Sequence, residues 1–114
     1  MEAVILECGD FPKKEYPREL LRRADVIICC DRALDTFLRH RDKIFKDLRD
    51  PDAIIGDMDS ISPKHLKEYS RIAIREEEQE TNDQTKAFRY LLEHWPEVKT
   101  VHILGATGKR EAHT

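Results

Sequence analysis

Apolar residues recur along this chain in five short runs, each of a length suited to one β-strand. The runs occupy residues 3–6, 26–30, 53–55, 72–74 and 101–104. The second run, VIICC, is apolar throughout, which is typical of a strand buried on both faces of a parallel sheet. The pattern therefore predicts a mainly parallel sheet of about five strands.

The segments between the runs have helical character. Residues 17–24 and 34–38 carry apolar side chains at helical spacing, and Ser62 followed by Pro63 has the order of a helix cap and a first turn. The clearest helix is predicted from Thr81 or Asn82 to about His94. Its apolar positions are Ala87, Phe88, Leu91, Leu92 and Trp95. Strands alternating with helices predict an α/β fold, here a three-layer Rossmann-like domain.

Composition narrows the classes of partner. The 114 residues fit one domain, and a net charge of −3 gives no broad field for nucleic acid or an anionic membrane. No apolar stretch approaches the length of about 18 residues that spans a bilayer, and no basic and apolar leader precedes the first run. Cys8, Cys29 and Cys30 lie in or beside apolar runs, so we expect buried thiols in a cytoplasmic protein.

Chemically active residue types follow the predicted strands, where open α/β sheets bind their ligands. Asp31 follows the second run, and the sequence GDMDS follows the third at residues 56–60. Asp57 and Asp59 are separated by one residue, so both carboxylates can reach one hard cation such as Mg²⁺. The same residues also suit a turn that leads into the next helix, and the motif alone favours neither reading.

A second motif, TNDQTKA, opens the predicted helix near residue 81. Asn82 suits a helix cap, while Asp83 and Lys86 lie three residues apart on one face. One reading is a capped helix with an internal ion pair. The other directs Asp83 to a metal and Lys86 to a phosphate, at a helix end that favours anions.

A third motif, GATGKREAHT, follows the fifth run. Gly105 and Gly108 allow a backbone turn around phosphate groups, and Lys109 and Arg110 supply positive charge. The motif is not a Walker A loop, since the glycines are too close together and no Ser or Thr follows the lysine. A plain turn fits these residues equally well.

The order of these motifs resembles the N-terminal catalytic domain of thiamine pyrophosphokinases. The resemblance implies catalytic and metal-binding roles for Asp57, Asp59 and Asp83. It also implies nucleotide-binding roles for Asp31, Asn82, Lys86, Gly105, Gly108, Lys109, Arg110 and His113. The implied reaction is Mg²⁺-dependent transfer of pyrophosphate from ATP to the hydroxyl of thiamine, and the implied assembly is a homodimer.

The chain departs from the family pattern at two positions. Ala112 stands where the family has an acidic residue, and Arg32 stands where it has glycine. We also expect residues 1–114 to form only the ATP- and magnesium-binding domain, without the family's β-rich thiamine-binding domain, so that transfer is impaired. Two alternatives stay open. One is a non-catalytic nucleotide-binding module, and the other is an Asp-x-Asp phosphatase with Asp57 as nucleophile and Asp59 as acid and base.

Overall fold

The computed structural model describes residues 1–7, 14–45, 47, 49–56, 61–75 and 83–105. Their centre is a five-stranded sheet in the order β4-β3-β2-β1-β5, and every strand pairing is parallel. The strands are β1 (Glu2–Leu6), β2 (Val26–Cys30), β3 (Ala53–Gly56), β4 (Ala73–Arg75) and β5 (Thr100–Leu104). The predicted α/β class and parallel sheet are confirmed.

Four α-helices connect the strands in the described part of the chain. They are α1 (Glu15–Arg23), α2 (Ala33–Ile44), α3 (Pro63–Glu68) and α4 (Asp83–His94), and a short 3-10 helix (Ser70–Ile72) follows α3. Side chains of α1, α2 and α3 pack in one core cluster, whereas α4 packs in a second. The helices therefore cover both faces of the sheet, three on one face and α4 on the other.

Alternation along the central strands divides the core between the two faces. Ile27 and Cys29 of β2 belong to the cluster under α1 to α3, while Ile28 and Cys30 belong to the cluster under α4. All five residues of β2 are buried. Burial on both faces explains why this run is apolar throughout, which is the pattern that predicts a central parallel strand.

Several local predictions need correction. Ile72 lies in the 3-10 helix, so β4 begins one residue later than the apolar run. Ser62 occupies the N-cap of α3, but its side chain makes no cap hydrogen bond. The apolar pattern predicts that Phe88 and Leu92 face inward from α4, yet they are 39% and 48% exposed. Fewer side chains of that helix are buried than its apolar pattern predicts.

No helix in the described residues is both long enough and apolar enough to span a membrane.

Candidate functional site

All five strands run in the same direction, so their carboxyl ends lie along a single edge of the sheet. Residues that end or directly follow the described strands at this edge are Glu7, Asp31, Gly56, Arg75 and Gly105. Because α4 follows β4 and packs across β1, β2 and β3, its first turn also begins at this edge. The carboxyl edge, defined by these residues and the first turn of α4, is the candidate site.

Asp31 is held at the centre of the carboxyl edge. Cys30 pairs with Ile55, so the next residues of the two strands, Asp31 and Gly56, are neighbours. The Asp31 backbone N–H donates to the Ile55 carbonyl at 2.8 Å, and the Asp31 carbonyl accepts from the Leu34 N–H at 3.2 Å as α2 begins. Asp31 has a φ of 49°, a left-handed conformation that aspartate tolerates better than most residues. Asp31 is buried, with 9% of its surface exposed.

The backbone at Gly56 passes directly against the carboxylate of Asp31. A Cβ at this position would lie 2.5 Å from Asp31 Cγ and 2.8 Å from Oδ2, with Oδ1 nearer still. Gly56 also has a φ of 149°, which L-residues with side chains rarely adopt. Both observations require glycine here, and they set the direction in which the chain enters the GDMDS motif.

Gly105 has a similar role where β5 ends beside β1. Its φ is 77°, and a Cβ would lie 2.5 Å from the carbonyl oxygen of Glu7. The Glu7 backbone N–H in turn donates to the Leu104 carbonyl at 2.8 Å. The third motif thus begins at a glycine that the close passage of two backbones requires.

Lys86 brings a positive side chain to the carboxyl edge. It lies in the first turn of α4 and is 8% exposed, although lysine is rarely buried in folded proteins. A positive side chain near a helix N-terminus favours anionic ligands, since the helix dipole and the charge act in the same direction. The structure places Lys86 at this edge, and its predicted contact with phosphate remains a prediction.

Most of the other predicted site residues lie outside the described residues. These are Asp57, Asp59, Asn82, Gly108, Lys109, Arg110 and His113. Asp83 is the first residue of α4, and only its backbone is described. Within the described ranges no group of three His, Cys, Asp or Glu residues forms a metal site. The magnesium ligands therefore remain a prediction.

The surroundings of the predicted ligands fit Mg²⁺ in one respect. The Asp31 carboxylate lies against Gly56, the residue before Asp57, so carboxylate oxygen is present at the point where the GDMDS motif begins. Mg²⁺ prefers oxygen ligands of this kind. Glu7 adds a second acidic residue to this edge, one that the three motifs do not include. Its position directly after the first apolar run is the sequence signal for it.

The vicinal cysteines of β2 are buried, and the environment of Cys29 disfavours a nucleophilic thiolate. Burial raises the pKa of the Cys29 thiol far above its usual range, and the charge of Asp52 raises it further. Thiolate is the reactive form of cysteine. Cys29 and Cys30 are both buried and free, which confirms the expected buried thiols for these two residues.

These features define a class of protein: a parallel α/β domain with an acidic residue, glycine turns and a buried lysine at the carboxyl edge of its sheet. Residues 17–114 match the family model described as the catalytic domain of thiamin pyrophosphokinase. The chain belongs to this family. No curated protein sequence matches it.

Solved structures of similar fold include thiamin pyrophosphokinases from three organisms. The Candida albicans enzyme is 23% identical with a TM-score of 0.70, covering 96% of this chain and 49% of its own. A family protein from Enterococcus faecalis is 22% identical with a TM-score of 0.69 and the same coverage. The yeast enzyme is 24% identical with a TM-score of 0.66, covering 84% of this chain and 33% of its own. At these identities the similarity concerns the fold.

This chain spans about half the length of the first two of these proteins. Neither the family match nor these structures support the phosphatase alternative. The GDMDS motif also follows β3, an interior strand with two strands before it in the chain, whereas the nucleophile motif of such phosphatases is expected after the first strand.

Proposed function

We propose that this chain is the ATP-binding and Mg²⁺-binding part of a thiamine pyrophosphokinase. The observation that carries the proposal is the carboxyl edge of a family member, where Asp31, Gly56 and the buried Lys86 occur together. Ligands of open α/β sheets bind at this edge. The proposed substrates are ATP and thiamine, and the proposed assembly is a homodimer.

Each motif has a proposed task at the carboxyl edge. Asp57, Asp59 and Asp83 hold Mg²⁺, which neutralises charge on the polyphosphate when it is bound. Lys86, Lys109 and Arg110 contact phosphate oxygens. The backbone at Gly105 and Gly108 approaches the nucleotide closely, and Asp31, Asn82 and His113 complete its binding site.

The proposed reaction forms a bond between the thiamine hydroxyl oxygen and the β-phosphorus of ATP. The bond between the α–β bridging oxygen and the β-phosphorus breaks, AMP leaves with that oxygen, and the hydroxyl proton is released to water. In such transfers the protein contributes mainly by positioning the reactants and stabilising charge. Because the chain spans about half of its structural relatives and carries Ala112, we expect transfer by these residues alone to be slow.

Product analysis tests this proposal. The chain is incubated with ATP, Mg²⁺ and thiamine, and AMP, ADP and thiamine pyrophosphate are quantified by chromatography. Equilibrium binding of ATP is measured in parallel with Mg²⁺ and with EDTA. Asp57→Asn is compared with Asp47→Asn, which is a matched control because Asp47 is exposed to solvent.

The proposal predicts that Mg²⁺ strengthens ATP binding and that Asp57→Asn weakens this effect about tenfold or more, while Asp47→Asn leaves it unchanged. Any thiamine-dependent turnover must release AMP. Release of ADP or orthophosphate would contradict the proposal. Equal ATP affinity with Mg²⁺ and with EDTA would also contradict it. Mg²⁺-dependent binding with no AMP at all would favour the non-catalytic module.

A further inference from the structure

Asp35 of α2 holds the start of α3 through both of its carboxylate oxygens. Oδ2 accepts a hydrogen bond from the Ser62 backbone N–H at 3.1 Å, and Oδ1 accepts from Nδ1 of His65. These partners lie 27 and 30 residues away in the sequence, so one side chain joins two distant elements. The contacts are partly buried, which shields them from competing water.

Helix α3 needs such an external support. It has six residues, and helices of fewer than about 12 residues are marginal on their own. Its Ser62 cap makes no side-chain hydrogen bond. At its start, Ser62 and His65 contact the Asp35 carboxylate. Ile61, just before the helix, is 4% exposed and packs in the core.

Asp35 therefore holds Ser62, which lies two residues after the GDMDS motif. The point at which the chain enters the motif is fixed by Gly56, which lies against the carboxylate of Asp31. The two aspartates are four residues apart, at the junction of β2 and α2. One short segment of the fold thus contacts Gly56, the first residue of the motif, and Ser62, two residues after its last.

We propose that Asp35 is a positioning residue for Asp57 and Asp59, acting through Ser62 and His65. This inference rests on the proposed function, because it assumes that these aspartates hold Mg²⁺. Residues that orient metal ligands typically change metal affinity about 10- to 100-fold when they are removed. Loss of Asp35 thus weakens the metal-dependent part of ATP binding and leaves metal-free ATP binding unchanged.

We expect the chain to fold without the Asp35 side chain. Asp35 borders an open cavity of about 330 Å³ that is also lined by Leu38, Arg39, Ser62 and His65. A truncated side chain at this border leaves space that water can enter, so the cost of an empty apolar cavity does not arise. The fold and the metal response can therefore be measured separately.

The experiment compares Asp35→Ala with Asp42→Ala. Asp42 lies on the same helix and is exposed, so the control removes the same charge without the contacts to α3. Hydrogen exchange of the Ser62 amide reports on the contact itself. The Mg²⁺ concentration that gives half-maximal enhancement of ATP binding reports on its consequence.

We expect Asp35→Ala to accelerate exchange at Ser62 and to raise the half-maximal Mg²⁺ concentration about tenfold, with metal-free ATP affinity unchanged. Asp35→Asn, whose side-chain oxygen still accepts from the Ser62 N–H, should stay within about threefold of the unchanged chain. If Asp35→Ala does not fold, Asp35→Glu replaces it, since it keeps the charge but carries the carboxylate one methylene further. The same rise is expected.

Faster Ser62 exchange with an unchanged Mg²⁺ response would overturn the positioning role and leave the proposed function intact. An equal loss of metal-free and metal-dependent ATP binding would also overturn it, because that result indicates a general structural effect. If the unchanged chain shows no Mg²⁺-dependent ATP binding, the proposed function fails, and the positioning role with it.

Discussion

The contact between Gly56 and Asp31 gives a sharp prediction about stability. Gly56→Ala adds one methyl group where the backbone has a φ of 149° and where the Asp31 carboxylate already occupies the space. The substitution thus introduces backbone strain and a steric overlap. The two costs have different origins, so a second substitution can separate them.

Their magnitudes follow from the geometry. A residue with a side chain in a sparsely populated backbone region costs about 1–3 kcal/mol. A methyl group forced into a packed site costs about 1–3 kcal/mol more, and a Cβ 2.5 Å from Asp31 Cγ cannot be accommodated without movement. We expect Gly56→Ala to lower the free energy of unfolding by about 3 kcal/mol, a large share of the roughly 5–15 kcal/mol typical of a domain.

Urea unfolding of a double-mutant cycle tests this reasoning. Asp31→Ala removes all three atoms that the new methyl group would meet. The cost of Gly56→Ala in the Asp31→Ala background should therefore fall by about 1–3 kcal/mol, which is the overlap part alone. The strain from φ remains in both backgrounds.

Gly105→Ala is the matched control. Its Cβ would meet the backbone carbonyl of Glu7, and Gly105 lies at the end of β5, two strands away from Asp31. Its cost should be the same with Asp or Ala at position 31, within about 0.5 kcal/mol. Equal costs of Gly56→Ala in both backgrounds would refute the overlap argument, and a cost below about 0.5 kcal/mol would refute the strain argument as well.

Three further outcomes are expected. Burial raises the pKa of Tyr69 above its usual 10.0. The stability that Tyr69 contributes is therefore complete below about pH 10 and is lost as the pH rises through its folded-state pKa. In urea unfolding at about pH 9 and 11, Tyr69→Phe should reduce the alkaline loss of stability, and an unchanged loss would refute this. Cys29 and Cys30 should resist iodoacetamide until the chain unfolds, and rapid native-state labelling in peptide mass spectra would contradict their burial. Lys86→Ala should weaken ATP binding about tenfold in calorimetry. Lys99→Ala, at an exposed position near the opposite edge of the sheet, should leave ATP binding unchanged. Equal effects of the two substitutions would remove Lys86 from the site.

The sheet was predictable because its strands are buried on both faces. A parallel strand covered on both sides must be apolar at successive positions, and the run at residues 26–30 coincides with β2. Strands between helices then require parallel pairing through crossovers. The fold class therefore followed from local patterns that need no knowledge of distant contacts.

The incorrect burial predictions concern side chains of α4 whose burial depends on how far the sheet extends beneath the helix. Helical spacing shows that Phe88 and Leu92 share a face with Ala87 and Leu91, but it does not show how far the sheet extends beneath that face. In the described residues α4 is the helix of the second core cluster, and one side of its apolar stripe stays exposed. Spacing alone cannot distinguish these positions.

The candidate site was predictable as a location but not as a geometry. Strand order places Asp31 and Gly105 at one edge, and the first turn of α4 places Lys86 there. Their roles in ligand binding remain predictions. The contacts of Asp31 with Gly56 and of Asp35 with Ser62 join residues that are more than 20 positions apart. They depend on the register between β2 and β3 and on the packing of α3, which a local sequence pattern does not contain.

The most direct test of the account is an NMR titration of the ¹⁵N-labelled chain with ATP in the presence of Mg²⁺. The account predicts that amide shifts change at the carboxyl edge, at Asp31, Gly56, Lys86 and Gly105. Amides near the amino ends of the strands, such as Asp25 and Lys99, should stay unchanged, and replacing Mg²⁺ with EDTA should weaken the response. Shift changes centred on the amino ends, or a response that does not depend on Mg²⁺, would contradict a Mg²⁺–ATP site at the carboxyl edge.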